Sequence, residues 1–152
     1  MRIAIASDHA AVTERAALAR HLEAAGHAVE DLGCAPGTAV DYAEPAAAVA
    51  HAVAGGRADL GVLLCGTGIG VCMAAGKVHG IRAATVHDAF TAEMARRHND
   101  ANVICMGARL LSVAAMQRAL DAFLGASFDG GRHTGRVAKI MALEHPARPA
   151  GA

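Results

Sequence analysis

Apolar residues along the chain gather into five short runs, each followed by a longer stretch of different spacing. Residues 2–7 predict a first strand that ends at Asp8-His9. Residues 11–25 then carry Val12, Ala16, Ala19 and Leu22 on one helical face, and Gly26 is a suitable stop. Residues 27–32 predict a second strand, and 33–41, with Pro36-Gly37, a loop. Tyr42 precedes an alanine-rich helix that tolerates Pro45 in its first turn and ends at Gly55-Gly56. Residues 60–64 form an apolar run without a charge, the pattern of a strand buried on both faces. Cys65 falls where that strand ends. Gly66, Gly68 and Gly70 follow at alternate positions, and 69–75 predict the opening of a buried helix.

The second half repeats the alternation. Residues 81–86 predict a fourth strand ending at His87-Asp88, then a helix over 89–97 that stops at His98-Asn99-Asp100. Residues 102–106 predict a fifth strand, followed by Gly107-Ala108-Arg109. Ser112 can cap a helix reaching about Leu124, with Val113, Met116, Leu120, Phe123 and Leu124 apolar. A loop over 125–131 delivers Arg132-His133-Thr134-Gly135-Arg136 into a final helix ending near Leu143. Five strand–helix alternations predict an α/β fold. The expectation is a single Rossmann-like doubly wound domain over 1–144, with a mostly parallel five-stranded sheet and helices on both faces. Residues 145–152, with Pro146 and Pro149, read as a flexible C-terminal tail.

Composition narrows the function classes. Lys plus Arg and Asp plus Glu are 14 each, so the formal charge is zero and neither nucleic acid nor an anionic membrane is expected as a partner. No run is long enough to span a bilayer or to form a signal-peptide core, which points to the cytoplasm. The cysteines at 34, 65, 72 and 105 form no CxxC pair and are expected as free thiols, with Cys72 and Cys105 as packing residues. The nine histidines include no His-x-x-x-His pair, so no metal and no cofactor is expected.

The chemistry-bearing residues stand at strand ends: Asp8-His9, Cys65-Gly66-Thr67, His87-Asp88 and Arg109. In a parallel sheet these share the carboxyl edge, where open α/β sheets bind ligands. A strand, a glycine turn and a helix start together present backbone N–H groups to an anion. Taken singly, each of these residues has a plainer reading as a helix cap or a satisfied polar group. As a dinucleotide fingerprint the turn fails at its third glycine, where Val71 stands, and it follows the third strand instead of the first. His98 beside Asn99 offers an imidazole that titrates near neutrality and an amide for a hydroxyl. Arg132 and Arg136, four apart, would share a helix face and could grip a phosphate.

These residues together resemble the ribose-5-phosphate isomerase B family, which includes the galactose-6-phosphate isomerase subunits. The matching segments are Ser7-Asp8-His9, Asp41-Tyr42, Cys65-Gly66-Thr67-Gly68-Ile69-Gly70, Gly80-Ile81-Arg82-Ala83, His98-Asn99-Asp100-Ala101-Asn102-Val103, Gly107-Ala108-Arg109 and Gly130-Gly131-Arg132-His133. Gly76, Ala43 and Ala11 depart from the family pattern. The resemblance implies metal-independent interconversion of ribose 5-phosphate and ribulose 5-phosphate through an enediolate. It implies Cys65 as base, Thr67 as proton relay and His98 as ring opener. Asp8, His9, Tyr42, Gly66, Gly68, Gly70 and Asn99 would bind the sugar, and His9, Arg109, Arg132 and Arg136 the phosphate. It also implies a homodimer or homotetramer with the site shared between chains. The alternatives are another sugar phosphate (galactose 6-phosphate, allose 6-phosphate or a tetrose phosphate) or a non-catalytic module for sugar phosphates or nucleotides.

Overall fold

The computed structural model describes residues 1–144, so the tail expected over 145–152 lies outside the described residues. Five strands, β1 (Arg2–Ser7), β2 (Ala28–Asp31), β3 (Leu60–Cys65), β4 (Ala83–Thr85) and β5 (Val103–Gly107), form one sheet in the order β2-β1-β3-β5-β4. Every pairing is parallel; Cys65 lies opposite Gly107 and Gly61 opposite Val103. The chain reverses direction across the sheet between β1 and β3, which makes this the switch point of a doubly wound fold. β3 sits at the centre, and all six of its residues are buried.

Helices cover both faces. On one side α1 (Val12–Ala24), α4 (Ala89–Asn99) and α5 (Val113–Gly125) pack Leu18, Leu22, Ala92, Met116, Leu120 and Phe123 against Ile3, Ile5, Val62, Leu64 and Ile104. On the other, α2 (Ala43–Ala54) and α3 (Ile69–Ala75) pack Ala46, Val49, Ala50, Val71 and Ala75 against Ala4, Ala6, Leu63 and Cys105. Alternate residues of each central strand thus enter two separate cores, which is why those strands read as unbroken apolar runs. A last helix, α6 (Thr134–Ala142), has no buried residue.

Several elements differ from the sequence reading. The inward face of α1 is Arg15, Leu18 and Leu22, whereas Val12, Ala16 and Ala19 are half-buried. Arg15 goes inside because its guanidinium is saturated: it donates to Asp31, to Ser7 Oγ at 3.0 Å and to the Cys34 carbonyl at 2.8 Å. β4 is only three residues long, because at its start the ladder gives way to side-chain bonds. Asn102 Oδ1 accepts from Arg82 N–H at 2.8 Å. Helix α3 is not buried all round: Val71 and Ala75 face inward, while Ile69 is 53% and Met73 66% exposed. Helix α4 runs two residues further than expected, through His98 and Asn99. Asp100 closes it in the left-handed region (φ 48°), with its carboxylate gripped by Arg82 at 2.8 Å and Arg96 at 3.0 Å.

Candidate active site

The carboxyl edge of the sheet collects what β1, β3 and β5 deliver. Cys65 ends β3 almost fully buried, and its Sγ accepts a hydrogen bond from Gly68 N–H at 3.1 Å. The turn folds back over β5. Gly68 has φ 79°, and a Cβ there would stand 2.9 Å from the Met106 carbonyl carbon. A Cβ on Gly107 would meet the Thr67 backbone at 2.6 Å, so both positions require glycine. Arg109 N–H donates to the Gly66 carbonyl at 3.0 Å, and its side chain lies along Gly66. Thr67 is exposed in the same turn, with Oγ1 accepting from Ile69 N–H at 3.4 Å. Two of the N–H groups expected to face an oxyanion, those of Gly68 and Ile69, therefore already have internal partners.

β1 brings Asp8 to the same edge, 7% exposed, where its Oδ1 caps the following turn through Ala10 N–H at 2.9 Å. His9 is exposed and donates through Nδ1 to the Val40 carbonyl at 3.2 Å. Tyr42 starts α2, lays its ring on Gly70 and remains 46% exposed. His87-Asp88 also lies at this edge, but Asp88 acts as a helix cap: it accepts from Thr91 N–H at 2.7 Å and Thr91 answers it in a capping box. Hydrogen bonds from Thr91 hold the Asp88 carboxyl below its usual range.

The other sequence-predicted residues are elsewhere. Helix α4 runs back across the sheet, so His98 and Asn99 lie at the amino edge, next to Asn102, whose carbonyl receives Gly61 N–H. At the rise of a strand, Cys65 is about 15 Å from that level. Arg132 and Arg136 are on the amino edge too, exposed, in a short 3-10 turn (Gly131–His133) and in α6. The His133 ring stacks on that of His98, with centroids 4.3 Å apart and planes 5° from parallel. Asp129 Oδ2 lies 4.0 Å from His98 Nε2, while its Oδ1 is held by Arg97 at 3.0 Å. Arg97 keeps the Asp129 carboxyl ionised to lower pH than usual; desolvation, then His98 and the neighbouring arginines, push His133 below the usual imidazole value. The candidate residues of one chain therefore fall into two groups at opposite edges: Asp8, His9, Tyr42, Cys65 to Gly70 and Arg109 at one, His98, Asn99, Arg132 and Arg136 at the other.

Sequence reasoning missed three neighbours of these residues. Asp129 and His133 gave no signal because each is far from His98 along the chain. Cys72 reads as a packing residue, yet it is only half-buried, and the Cys105 thiol and Thr85 lower its pKa to about 6. Cys105, fully buried in β5, is pushed the opposite way by desolvation, as expected of a packing thiol. Among the described residues, no helix is long and apolar enough to cross a membrane.

Comparison with known proteins places this geometry. Residues 3–140 match the family model described as Ribose/Galactose Isomerase. Ribose-5-phosphate isomerase B of Escherichia coli is 41% identical over 143 residues, covering 94% of this chain and 96% of that one. D-erythrulose-4-phosphate isomerase of Pectobacterium atrosepticum is 40% identical over 95% of this chain and 96% of its own. The crystal structure of ribose-5-phosphate isomerase B from Mycoplasma genitalium with bound ribulose-5-phosphate superposes with a TM-score of 0.91 at 42% identity. It covers 96% of this chain and 97% of that one.

Proposed function

The chain belongs to the ribose/galactose isomerase family, and from that premise we propose that it is an aldose–ketose isomerase interconverting D-ribose 5-phosphate and D-ribulose 5-phosphate without a metal. One observation carries the chemistry: Cys65 ends the central strand with its sulfur on the Gly68 N–H, at the start of the turn that carries Thr67. The thiolate is the form able to take a proton from carbon.

The reaction runs in three stages. His98 opens the furanose by giving a proton to the ring oxygen as the C1–ring oxygen bond breaks and the anomeric hydroxyl releases its proton to solvent, leaving the aldehyde, with Asp8 and Asn99 holding sugar hydroxyls. The Cys65 thiolate then removes the C2 proton; the electrons move into a C1–C2 double bond and onto O1, giving an enediolate. Thr67 passes a proton between O1 and O2, and Cys65 returns its proton to C1, which completes the ketose. Backbone N–H groups of the Gly66–Gly70 turn other than those of Gly68 and Ile69 stabilise the developing oxyanion. Tyr42 lines the sugar site.

The opposite placement of the two groups supports an assembly of at least two chains, in which His98, Asn99, Arg132 and Arg136 of the partner subunit complete the site around Cys65. Helix α6 fits this role, because it buries nothing within its own chain and exposes Ile140, with Leu143 exposed just beyond its end. A homodimer is the minimum, and a homotetramer is compatible with it. The expected compartment is the cytoplasm.

Phosphate falls to His9, Arg109, Arg132 and Arg136, since guanidinium groups match phosphate oxygens bidentately and stay charged. Arg136→Ala is expected to raise KM roughly tenfold or more, in line with about 1.5–3 kcal/mol for a charged hydrogen bond, with kcat much less affected. Inorganic phosphate is expected to compete with substrate. Equal turnover of unphosphorylated ribose would remove this role from the arginines.

Exhaustive chelation is expected to leave turnover unchanged, because thiolate, hydroxyl and imidazole supply every proton transfer. Loss of activity, rescued by one divalent ion, would contradict the metal-free mechanism. An assay panel of pentose, hexose and tetrose phosphates identifies the substrate. The similarity to a D-erythrulose-4-phosphate isomerase supports a tetrose phosphate as the second reading.

A further inference from the structure

We propose that His98, Asp129 and His133 form a zinc-binding site whose occupancy inhibits the isomerase by taking His98 away from ring opening. The inhibitory half rests on the role given to His98 above; the binding half does not.

The ligand atoms already converge. One nitrogen from each imidazole and one carboxylate oxygen lie within 4.8 Å of one another. The rings are stacked nearly parallel, so their in-plane lone pairs meet at one ion only after the rings rotate out of the stack. Zinc bonds of about 2.0–2.2 Å require ligand atoms roughly 3.3 Å apart in a tetrahedron. The atoms must therefore close by up to about 1.5 Å. His98 stands in the last turn of α4, Asp129 in a loop, and His133, 6% exposed, in a one-turn 3-10 segment.

The surroundings orient the ligands. Asp129 Oδ1 accepts from Arg97 Nε and its backbone N–H donates to the Arg97 carbonyl, at 3.0 and 2.9 Å. That leaves Oδ2 turned toward His98. A carboxylate fixed by an outer partner in this way is the usual support of a metal ligand. Two imidazoles and one carboxylate suit zinc and leave its fourth position for water, whereas magnesium and calcium prefer oxygen donors.

Three arginines lie close, and their charge opposes a cation. Arg97 is already paired with Glu93 and Asp129. Arg132 and Arg136 are exposed and able to swing into solvent. The bond from Arg132 Nε to His133 Nε2, at 3.3 Å, is the contact the metal replaces. Zinc held here engages the imidazole that must give a proton to the ring oxygen, so the bound state cannot start the reaction.

Cobalt(II) titration of the purified protein reads the site without reference to activity. The expected result is the strong visible ligand-field absorption of a four-coordinate ion, with no thiolate charge-transfer band in the near ultraviolet. His133→Ala and Asp129→Asn are each expected to weaken binding at least about tenfold, the lower end even for loss of a residue that only supports a ligand. Asp129→Asn, exposed and nearly isosteric, answers the question if His133→Ala folds poorly. Zinc is expected to lower wild-type turnover, EDTA to restore it, and Asp129→Asn to shift the inhibition midpoint by the same factor as binding. Unaltered affinity in both variants, or a thiolate band that vanishes in Cys65→Ala, would overturn the site. Binding at full strength without inhibition would leave the metal site standing and overturn the role of His98 in ring opening.

Discussion

Cys65→Ala is expected to fold, bind ribose 5-phosphate and lose roughly 10²–10⁴-fold in turnover, the usual contribution of a positioned acid–base group. The sulfur ends β3 in the core under α2 and α3, and Cys65→Ala removes only that one atom. Its removal leaves the Gly68 N–H without its acceptor, at a cost of about 1–3 kcal/mol. Cys65→Ser keeps an acceptor there and separates this structural cost from loss of the base. Cys72→Ala is the counterpart. Its thiol is the one with the low pKa, but it leans on Cys105 and Thr85, away from the turn's hydrogen bond to Cys65, so turnover is expected to stay near that of the wild type. A low pKa thus does not by itself mark the base; place in the turn does. Similar losses from both substitutions, measured as kcat on folded protein, would remove that distinction.

Mixing two inactive proteins is expected to restore activity. Cys65→Ala lacks the base at the carboxyl edge, and His98→Asn lacks the ring opener at the amino edge, about 15 Å away across a six-residue strand. If one site takes Cys65 from one chain and His98 from the other, a heterodimer of the two variants has one site with both residues intact and one with neither. Random reassortment makes half the dimers mixed, so about a quarter of wild-type activity returns. If each site lay within one chain, every site would carry one defect and no activity would return. Unfolding and refolding the mixture together, then assaying against each variant refolded alone, decides between them. Light scattering on the same samples is expected to show no active monomer.

The fold is legible in the sequence because the central strands are buried on both faces. Residues 60–64 and 102–106 are apolar runs that admit few other readings, and the glycines after Cys65 mark the turn that returns over β5. Helix faces are harder to read. Spacing puts the α1 stripe on Val12, Ala16 and Ala19, since Arg15 carries a charge; only the folded chain brings Asp31, Ser7 and the Cys34 carbonyl to its guanidinium. The exposed face of α3 is hidden for a related reason: Ile69 and Met73 look like core, and a sequence does not say which apolar residues the fold leaves exposed.

The candidate site divides in the same way. Residues at the ends of β1, β3 and β5 can be grouped at one edge from strand direction alone. His98, Asn99, Arg132 and Arg136 can be tied to them only through the family resemblance, because a crossover helix returns the chain to the amino edge, away from Cys65. The stacking of His133 on His98 and the approach of Asp129 join parts of the chain about thirty residues apart, a distance no spacing rule covers. Gly76 and Ala43, the departures from the family pattern, leave every residue of the proposed chemistry in place and bear on the choice of sugar.

Cys65 is proposed as the group that takes the substrate's C2 proton, and every other role at the site is arranged around that transfer. Exchange of the C2 proton with solvent, followed by NMR in heavy water with ribose 5-phosphate, reads this step apart from ring opening and product release. The purified wild-type protein is expected to wash the C2 proton out, and Cys65→Ala to leave it in place over the same time; exchange by Cys65→Ala at the wild-type rate would show that another residue is the base.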